Sequence, residues 1–385
     1  MGDSEKAVIS IRPAMSEFSA EAWDACAGLE NPFLRHAFLE ALESSGSARR
    51  ETGWQPYHLA LEDESGTLLG AVPMYIKSHS QGEYVFDHQW AAAYERAGGQ
   101  YYPKLLVAVP FTPVTGPRLL ARPGPLAETV RMHLLEGCTT ITRQLGVSSV
   151  NINFLTEAEW TLAGKRGWLQ RMDQQFHWEN RGYDSFDDFL ADLSSRKRKT
   201  LKRERRDALS DGITIDVVTG KDITEDHWDS FWQFYQDTGS RKWGRPYLTR
   251  SFFSLLSERM ADSVVLIFAR RAGQYVAGAL NLKGADTLYG RYWGCIEDHP
   301  FLHFEICYYQ AIDYAIAAGL KGVEAGAQGG HKLARGYVPK PTYSAHWIAD
   351  PDFREAVERY LDSERRYVSE EIDELQDYTP FKRSD

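Results

Sequence analysis

The sequence predicts a mixed α and β fold in which one order of elements occurs twice. Three observations carry this: two strand hairpins with alternating or continuous apolar runs, an amphipathic helical stretch after each, and a glycine that stops each helix before another strand. In the first half, "PYHLALEDESGTLLGAVPMYI" reads as strands around a turn at Asp63 to Gly66. A helical stretch from about Glu128, a break at Gly146 and the strand "VSSVNINFL" follow. In the second half, "SVVLIFARRAGQYVAGALNLK" is a hairpin around Gly273, followed by the strand "TLYGRYWGCI". The helical stretch "LHFEICYYQAIDYAIAAG", a stop at Gly319 and the strand "KGVEAGA" complete the second set.

The remaining segments fall around these two sets. Residues 87–124 of the first half are rich in Pro, Gly and aromatics and read as a long inserted loop, a kind of segment that carries function in compact domains. Between the halves, "SFDDFLADLSSRKRKTLKRERRDALSDG" reads as helix ending at Gly212. After Pro351, Phe353, Val357, Tyr360, Leu361 and Tyr367 recur at helical spacing and predict a terminal helix with one apolar face. The expected organisation is a first module over 1–172, a second over 173–350 that includes a basic helix at 196–209, and a helical tail over 351–385.

Composition narrows the function classes. At 385 residues the chain is long enough for a sizeable core without metal or disulfide support. Its 54 acidic against 44 basic residues give a net charge of -10, so attraction to a polyanion must be local. Four scattered cysteines with no CxxC pair argue against a secreted disulfide framework. The start, Met1-Gly2-Asp3-Ser4-Glu5, lacks the basic and apolar blocks of a signal peptide, and no apolar run reaches membrane-span length. The expectation is a cytoplasmic protein with no membrane insertion.

Four places could carry chemistry. Cys295, His299, His303 and Cys307 recur every four residues, but on one helix the outer pair would lie about 18 Å apart, too far for one tetrahedral ion, and Pro300 interrupts them. No metal site is expected. On the helix after Pro300, Tyr308, Tyr309, Ile312, Ala315 and Ile316 share a face, and Glu305 falls in its middle. A carboxylate there is paired, protonated or facing a cavity. It reads equally as a general base with raised pKa or as a structural partner of an arginine such as Arg291.

The loop "EAGAQGGHKLARGY" offers close backbone approach at Gln328, Gly329 and Gly330, with His331, Lys332 and Arg335 beside it, as an oxyanion or phosphate would require. The run Arg196 to Arg206 holds eight basic residues against Glu204 alone. It reads as a phosphate-contacting helix through Arg198, Lys202 and Arg205, or as a solvated surface balanced by Asp187, Asp188 and Asp192. In the inserted segment, Asp87, His88, Trp90, Tyr94, Tyr101, Tyr102 and Lys104 combine charge with aromatic surface suited to sugar or peptide binding.

The strings "YVFDHQWAAAYERAGGQYYPKLLVAVPFTPVTGPRLL", "SSRKRKTLKRERR", "LHFEICYYQAIDYAIAAGLKGVEAGAQGGHKLARGYVP" and "TYSAHWI" resemble the Fem-like peptidoglycan biosynthesis or recognition family of the GNAT acyltransferase superfamily. The resemblance runs from about Asn31 to Asp350 and implies two GNAT-like modules in tandem. It implies acyl or aminoacyl transfer to an amine-bearing small molecule or peptide, with aminoacyl-tRNA or acyl-CoA as donor and no tightly bound cofactor. The competing expectations are a noncatalytic peptide or muropeptide recognition protein and an acetyl-CoA-dependent N-acetyltransferase. The junction "EDHPFLHFE" has no glycine for a pyrophosphate loop, which speaks against acetyl-CoA. Three positions depart from the family pattern: His88 in place of an aromatic such as Trp, Ala92 in place of Asp, and Gly330 in place of Glu. The expected catalytic set is Glu305 as base or ammonium anchor, amides from Gln328 to His331 as oxyanion donors, and Tyr308 or His331 as acid. His303, Gln328, Gly329, Lys332 and Arg335 join Asp87, Trp90, Tyr94, Tyr102 and Lys104 as substrate contacts.

Overall fold

A computed structural model of the chain describes residues 7–242, 246–326 and 329–382. The chain divides into two compact units: Met1–Asp173 with Thr342–Ser369, and Gln174–Pro341 with Glu370–Asp385. The strand and most of the helix after residue 341 therefore group with the first unit, whereas the sequence pattern assigned them to the second module and to a separate tail.

In the first unit, Val8–Arg12, His58–Glu62, Leu68–Val72 and Leu120–Ala121 form a four-stranded sheet in that order. A second set of strands runs from residues 342–348 through Ser149–Leu155, Lys104–Val107 and Met74–Lys77 to Trp54–Pro56. Lys104–Val107 and Ser149–Leu155 pair in parallel, the pairing that needs a crossover, and the helix Ala127–Leu145 lies between them in the chain. Leu134, Leu135, Cys138 and Ile141 of that helix pack on Leu105, Val107, Val150 and Ile152.

The segment 87–124 is not the loop its Pro and Gly content suggested. It contains the helix His88–Arg96 and the strands Lys104–Val107 and Leu120–Ala121. Four successive buried residues in "KLLV" make an inner strand, where alternation is not required.

In the second unit the strand order is Thr214–Thr219, Val264–Arg271, Gln274–Lys283, Thr287–Cys295, Gly322–Glu324 and residues 174–179. One face packs on a helix made of Leu302–Phe304, a π turn at Glu305–Tyr309 and Gln310–Ala317. Gly319 closes it at φ 66, the left-handed cap its glycine allows. The long helix expected from 185 to 212 is two, Phe186–Asp192 and Ser195–Ala208. Leu193 leaves helical geometry because its side chain is fully buried and its backbone bridges Phe381, while the Ser194 amide donates to Pro380 O.

The terminal helix Pro351–Asp377 buries Phe353, Val357 and Leu361 as the spacing predicts. Tyr360 and Tyr367 are exposed instead, and Val368 and Ile372 take the buried positions. Among the described residues no helix is long and apolar enough to cross a membrane.

Gly294 shows how closely the other face of the second sheet is covered. A Cβ there would meet the Phe234 carbonyl oxygen at 2.1 Å, inside the helix Glu225–Lys242. Backbone cannot yield as a side chain can, so Gly294→Ala should cost about 3 kcal/mol or more. Urea unfolding should give a lower midpoint at unchanged slope, and an unchanged midpoint would contradict this packing.

Candidate functional site

Two constellations emerge, one in each unit. In the second unit, Glu204 and Arg205 are neighbours on the basic helix and hold different partners. Leu201, Glu204 and Ala208 are its buried residues. Arg335 Nη2 donates to both Glu204 carboxylate oxygens at 2.9 Å, and the Tyr309 hydroxyl donates to Oε2. The Arg335 guanidinium covers the Phe304 ring at 3.5 Å, and its Nη1 donates to the His331 carbonyl at 2.7 Å. Arg205 Nε reaches both Glu305 oxygens at 3.2 Å, while its Nη2 reaches Glu305 Oε1 at 2.9 Å and Asp313 Oδ2 at 2.6 Å.

Glu305 is thus the structural partner of an arginine, though of Arg205 rather than Arg291. It has no exposed surface. Burial raises its pKa while Arg205 pulls it down, and Gln310 Nε2 also donates to Oε1 at 2.7 Å. Its oxygens are occupied, so it is a poor base. No hydrogen bond or ion pair among the described residues joins it to His331.

Tyr308, by contrast, lies one helical turn from Glu305 and does meet His331, at 3.0 Å between Oη and Nε2. Burial raises the Tyr308 pKa and lowers that of His331, which Arg335 and Lys332 depress further. The imidazole is therefore neutral near pH 7. His331 as a residue is solvent-exposed, and His303 packs beside both, 5.4 Å from Tyr308 and 6.3 Å from His331 between ring centres.

Other expected contacts in this unit turn inward. Lys332 Nζ donates to the Ala325 and Gly326 carbonyls at 2.6 Å, so it ties the glycine-rich loop together and does not await a ligand. Burial lowers its pKa to about 8. Arg335 is buried against Glu204. Gly329, at φ 111, precedes the short helical turn Gly330–Arg335. Gln328 lies outside the described residues.

The phosphate-binding set needs the same correction. Arg205 points inward, Arg198 is half-buried, and only Lys202 is exposed, 3.3 Å from Asp187. The exposed cations are Arg196, Lys199, Lys202, Arg203 and Arg206, which at 100° per residue occupy an arc of about 120°.

In the first unit, Lys104 and Asp87 are fully buried ion-pair partners and not ligand contacts. Lys104 Nζ donates to Ser80 Oγ at 2.9 Å, Glu83 Oε2 at 2.8 Å and Asp87 Oδ2, which also accepts from the Tyr101 hydroxyl at 2.7 Å. Half-buried Tyr102 shares a 2.7 Å hydrogen bond with Ser80. Lys77 is buried too, its Nζ 3.6 Å from the centre of the Trp54 ring and 4.0 Å from Glu83 Oε1. Neither Lys77 nor Glu83 was legible as part of a cluster.

Trp90 and Tyr94 do line an open groove of about 1110 Å³, with His88, Ala92, Asp350, Phe353 and Tyr360. Tyr94 stacks on Phe353 at 4.3 Å. The Trp90 ring carries the Arg171 guanidinium at 5.0 Å.

The FemAB-like family model, described as peptidoglycan biosynthesis/recognition, matches residues 14–383, and the chain belongs to that family. No curated protein matches the sequence. Among solved structures, FemX is 12% identical, covers 92% of this chain and 100% of its own, and superposes with a TM-score of 0.55. The C-terminal domain of a protein from Agrobacterium fabrum assigned as a lysylphosphatidylglycerol synthetase is 11% identical over 89% of this chain and 95% of its own, with a TM-score of 0.54. A tandem GNAT protein from the clavulanic acid biosynthesis pathway is 11% identical over 90% of this chain and 99% of its own, with a TM-score of 0.47. The first two likenesses establish a shared fold.

The first-unit cluster has a pH signature. Burial pushes Glu83 up to about 7, against the pull of Lys104, and pushes Lys77 down to about 7, against the pull of Glu83. Between pH 4.5 and 7 the folded state holds the Glu83 proton that the unfolded chain has lost, so stability falls as pH rises. Between pH 7 and 10.5 the unfolded chain holds the Lys77 proton that the folded state has lost, so stability rises again. Unfolding free energy should therefore dip by roughly 2–3 kcal/mol near pH 7. Urea titrations across this range should show the dip in the wild type and not in a Lys77→Met/Glu83→Gln variant; identical pH profiles would contradict the assignment.

Proposed function

We propose that this protein is an amide-forming acyltransferase that moves an acyl or aminoacyl group onto an amine, in keeping with its family and its FemX-like fold. The observation that carries the reading is the Tyr308–His331 pair beside a glycine-rich loop. In such a reaction the amine nitrogen attacks the donor carbonyl, and the oxygen becomes anionic before the alcohol or thiol departs. Tyr308, kept protonated by burial, gives its proton to that leaving group, and exposed His331 returns one from solvent. The amides of Gly330 and His331 are the proposed oxyanion donors.

The donor we favour carries several phosphates, as aminoacyl-tRNA does, because the outward cations of the basic helix form one stripe. Acyl-CoA is the alternative donor. A second reading, recognition of a peptide or muropeptide without catalysis, draws on the aromatic groove lined by Trp90 and Tyr94.

Mass spectrometry of ligands retained by the purified protein separates these readings: an acyl-CoA, a tRNA or a peptide each selects one. For the donor, tRNA binding should weaken steeply with salt, and Lys199→Gln/Arg203→Gln/Arg206→Gln should flatten that slope. Folding should be unaffected, since exposed charges contribute at most about 1 kcal/mol each. Equal slopes in both proteins would remove the stripe from donor binding. Retention of a peptide with no acyl transfer would favour recognition.

A further inference from the structure

Glu324 belongs to none of the sites above, and its setting is unusual. The pairing registers place Tyr289 opposite Glu324 and Glu324 opposite His177, so the three side chains form one row across the second sheet. The adjacent row, Leu288, Val323 and Trp178, is buried in the core against the helix that begins at Leu302. The Glu324 row therefore lies on the opposite face. Strand Thr287–Cys295 pairs with Gly322–Glu324 only as far as Tyr289, then runs on paired with Gln274–Lys283 alone while its other partner turns into the loop at Ala325. Ligands of α/β sheets bind where parallel strands end and part in this way.

A bulge lies beside the row. Leu280 pairs with Tyr292 and Asn281 with Gly290, which leaves Arg291 as the extra residue. Bulges near sites re-aim a side chain. The Glu324 side chain keeps 15% of its surface and that of His177 keeps 18%, so the row is reachable but largely desolvated. His177 Nδ1 is 3.8 Å from Glu324 Oε1, beyond hydrogen-bond range. Glu324 Oε2 has no hydrogen-bond partner among the described residues. An almost buried carboxylate oxygen without a donor is a costly arrangement that a ligand's N–H would satisfy.

Among the described residues, Arg291, Tyr289 and His177 are the charged and titratable groups around it. Burial raises Glu324 to about 8, and Arg291 pulls it down. Tyr289 stays protonated through burial and the nearby Glu324. His177 is held neutral, at about 4, by burial and then by Lys340 and Lys332.

We propose that Glu324 receives the primary ammonium of the acceptor and takes its proton, an assignment that rests on the acyl-transfer reading. The ammonium N–H bond breaks, its proton goes to Glu324 Oε2, and the freed lone pair forms the N–C bond to the donor's acyl carbon. The adduct's nitrogen then loses its second proton to solvent, the C–O or C–S bond of the activated ester or thioester breaks, and the leaving oxygen or sulfur departs with the proton that Tyr308 gives and His331 replaces from solvent. This moves the base from Glu305 to a carboxylate with a free oxygen.

The test uses the full chain, n-butylamine as the ammonium probe and n-butanol as its neutral control, with binding read by saturation-transfer NMR. The wild type should bind n-butylammonium and not n-butanol, and affinity should rise about 10-fold from pH 7 to 9 as a group of pKa near 8 ionises. Glu324→Gln should bind at least tenfold more weakly, with no pH dependence. Equal binding and equal pH rise in both proteins would overturn the proposal, as would n-butanol binding as well as the amine. Should Glu324→Gln fail to fold, the wild-type pH profile decides alone, and a flat profile overturns it. No donor is present, so ammonium binding stands even if acyl transfer is never found. Acyl transfer at the wild-type rate by Glu324→Gln would overturn the base and leave the reaction class intact.

Discussion

The second unit depends on two adjacent residues of opposite charge, Glu204 and Arg205, on a helix otherwise crowded with cations. Glu204 engages Arg335 and Tyr309, and Arg205 engages Glu305 and Asp313. One helix is thereby fixed to the segment that carries Tyr308 and to the turn that carries His331. A buried ion pair gains little net stability, because desolvation offsets its attraction, but removing one partner is severe. What the pair contributes is a defined geometry: with Leu201, Glu204 and Arg205 inward, the remaining cations must face water.

The π turn at Glu305–Tyr309 belongs to the same arrangement. Such turns insert one residue into a helix and recur at functional sites. Here Glu305 reaches Arg205, Tyr309 reaches Glu204, and Tyr308 between them reaches His331. The candidate chemistry is thus flanked on the same turn by residues that hold it in place. Phe301, at φ 64 just before this helix, is a further departure from relaxed backbone that the packed surroundings must sustain.

Much of the fold was legible in the sequence, because hairpins, helix periodicity and glycine stops are local signals. Gly146 and Gly319 end their helices where expected, at φ 64 and φ 66. The errors share a cause: a local signal outweighed by burial. Leu193 interrupts a helix because its side chain is needed in the core. "KLLV" is an inner strand inside a segment whose Pro and Gly suggested a loop. Among the candidate residues Tyr308 and His331 do meet, whereas Arg205, Arg335, Asp87 and Lys104, expected at ligands, spend their charge on partners distant in sequence, Lys332 turns to carbonyls of its own loop, and Glu305, which reads as a base or as an arginine's partner, is the partner of Arg205. Glu204 could have been found, since it is the lone acid of its run and lies on the stripe with Leu201 and Ala208. Glu324 could not, because its isolation follows from where two strands stop pairing.

The central claim is that Glu204 holds the His331 turn in place from the basic helix. Hydrogen exchange followed by mass spectrometry on Glu204→Gln tests it directly. Loss of the charge should release Arg335, so peptides covering 329–337 and 302–309 should exchange at least tenfold faster while the sheet strands 264–283 keep wild-type protection. Unchanged exchange in 329–337, or an equal loss of protection throughout the second unit, would contradict the account.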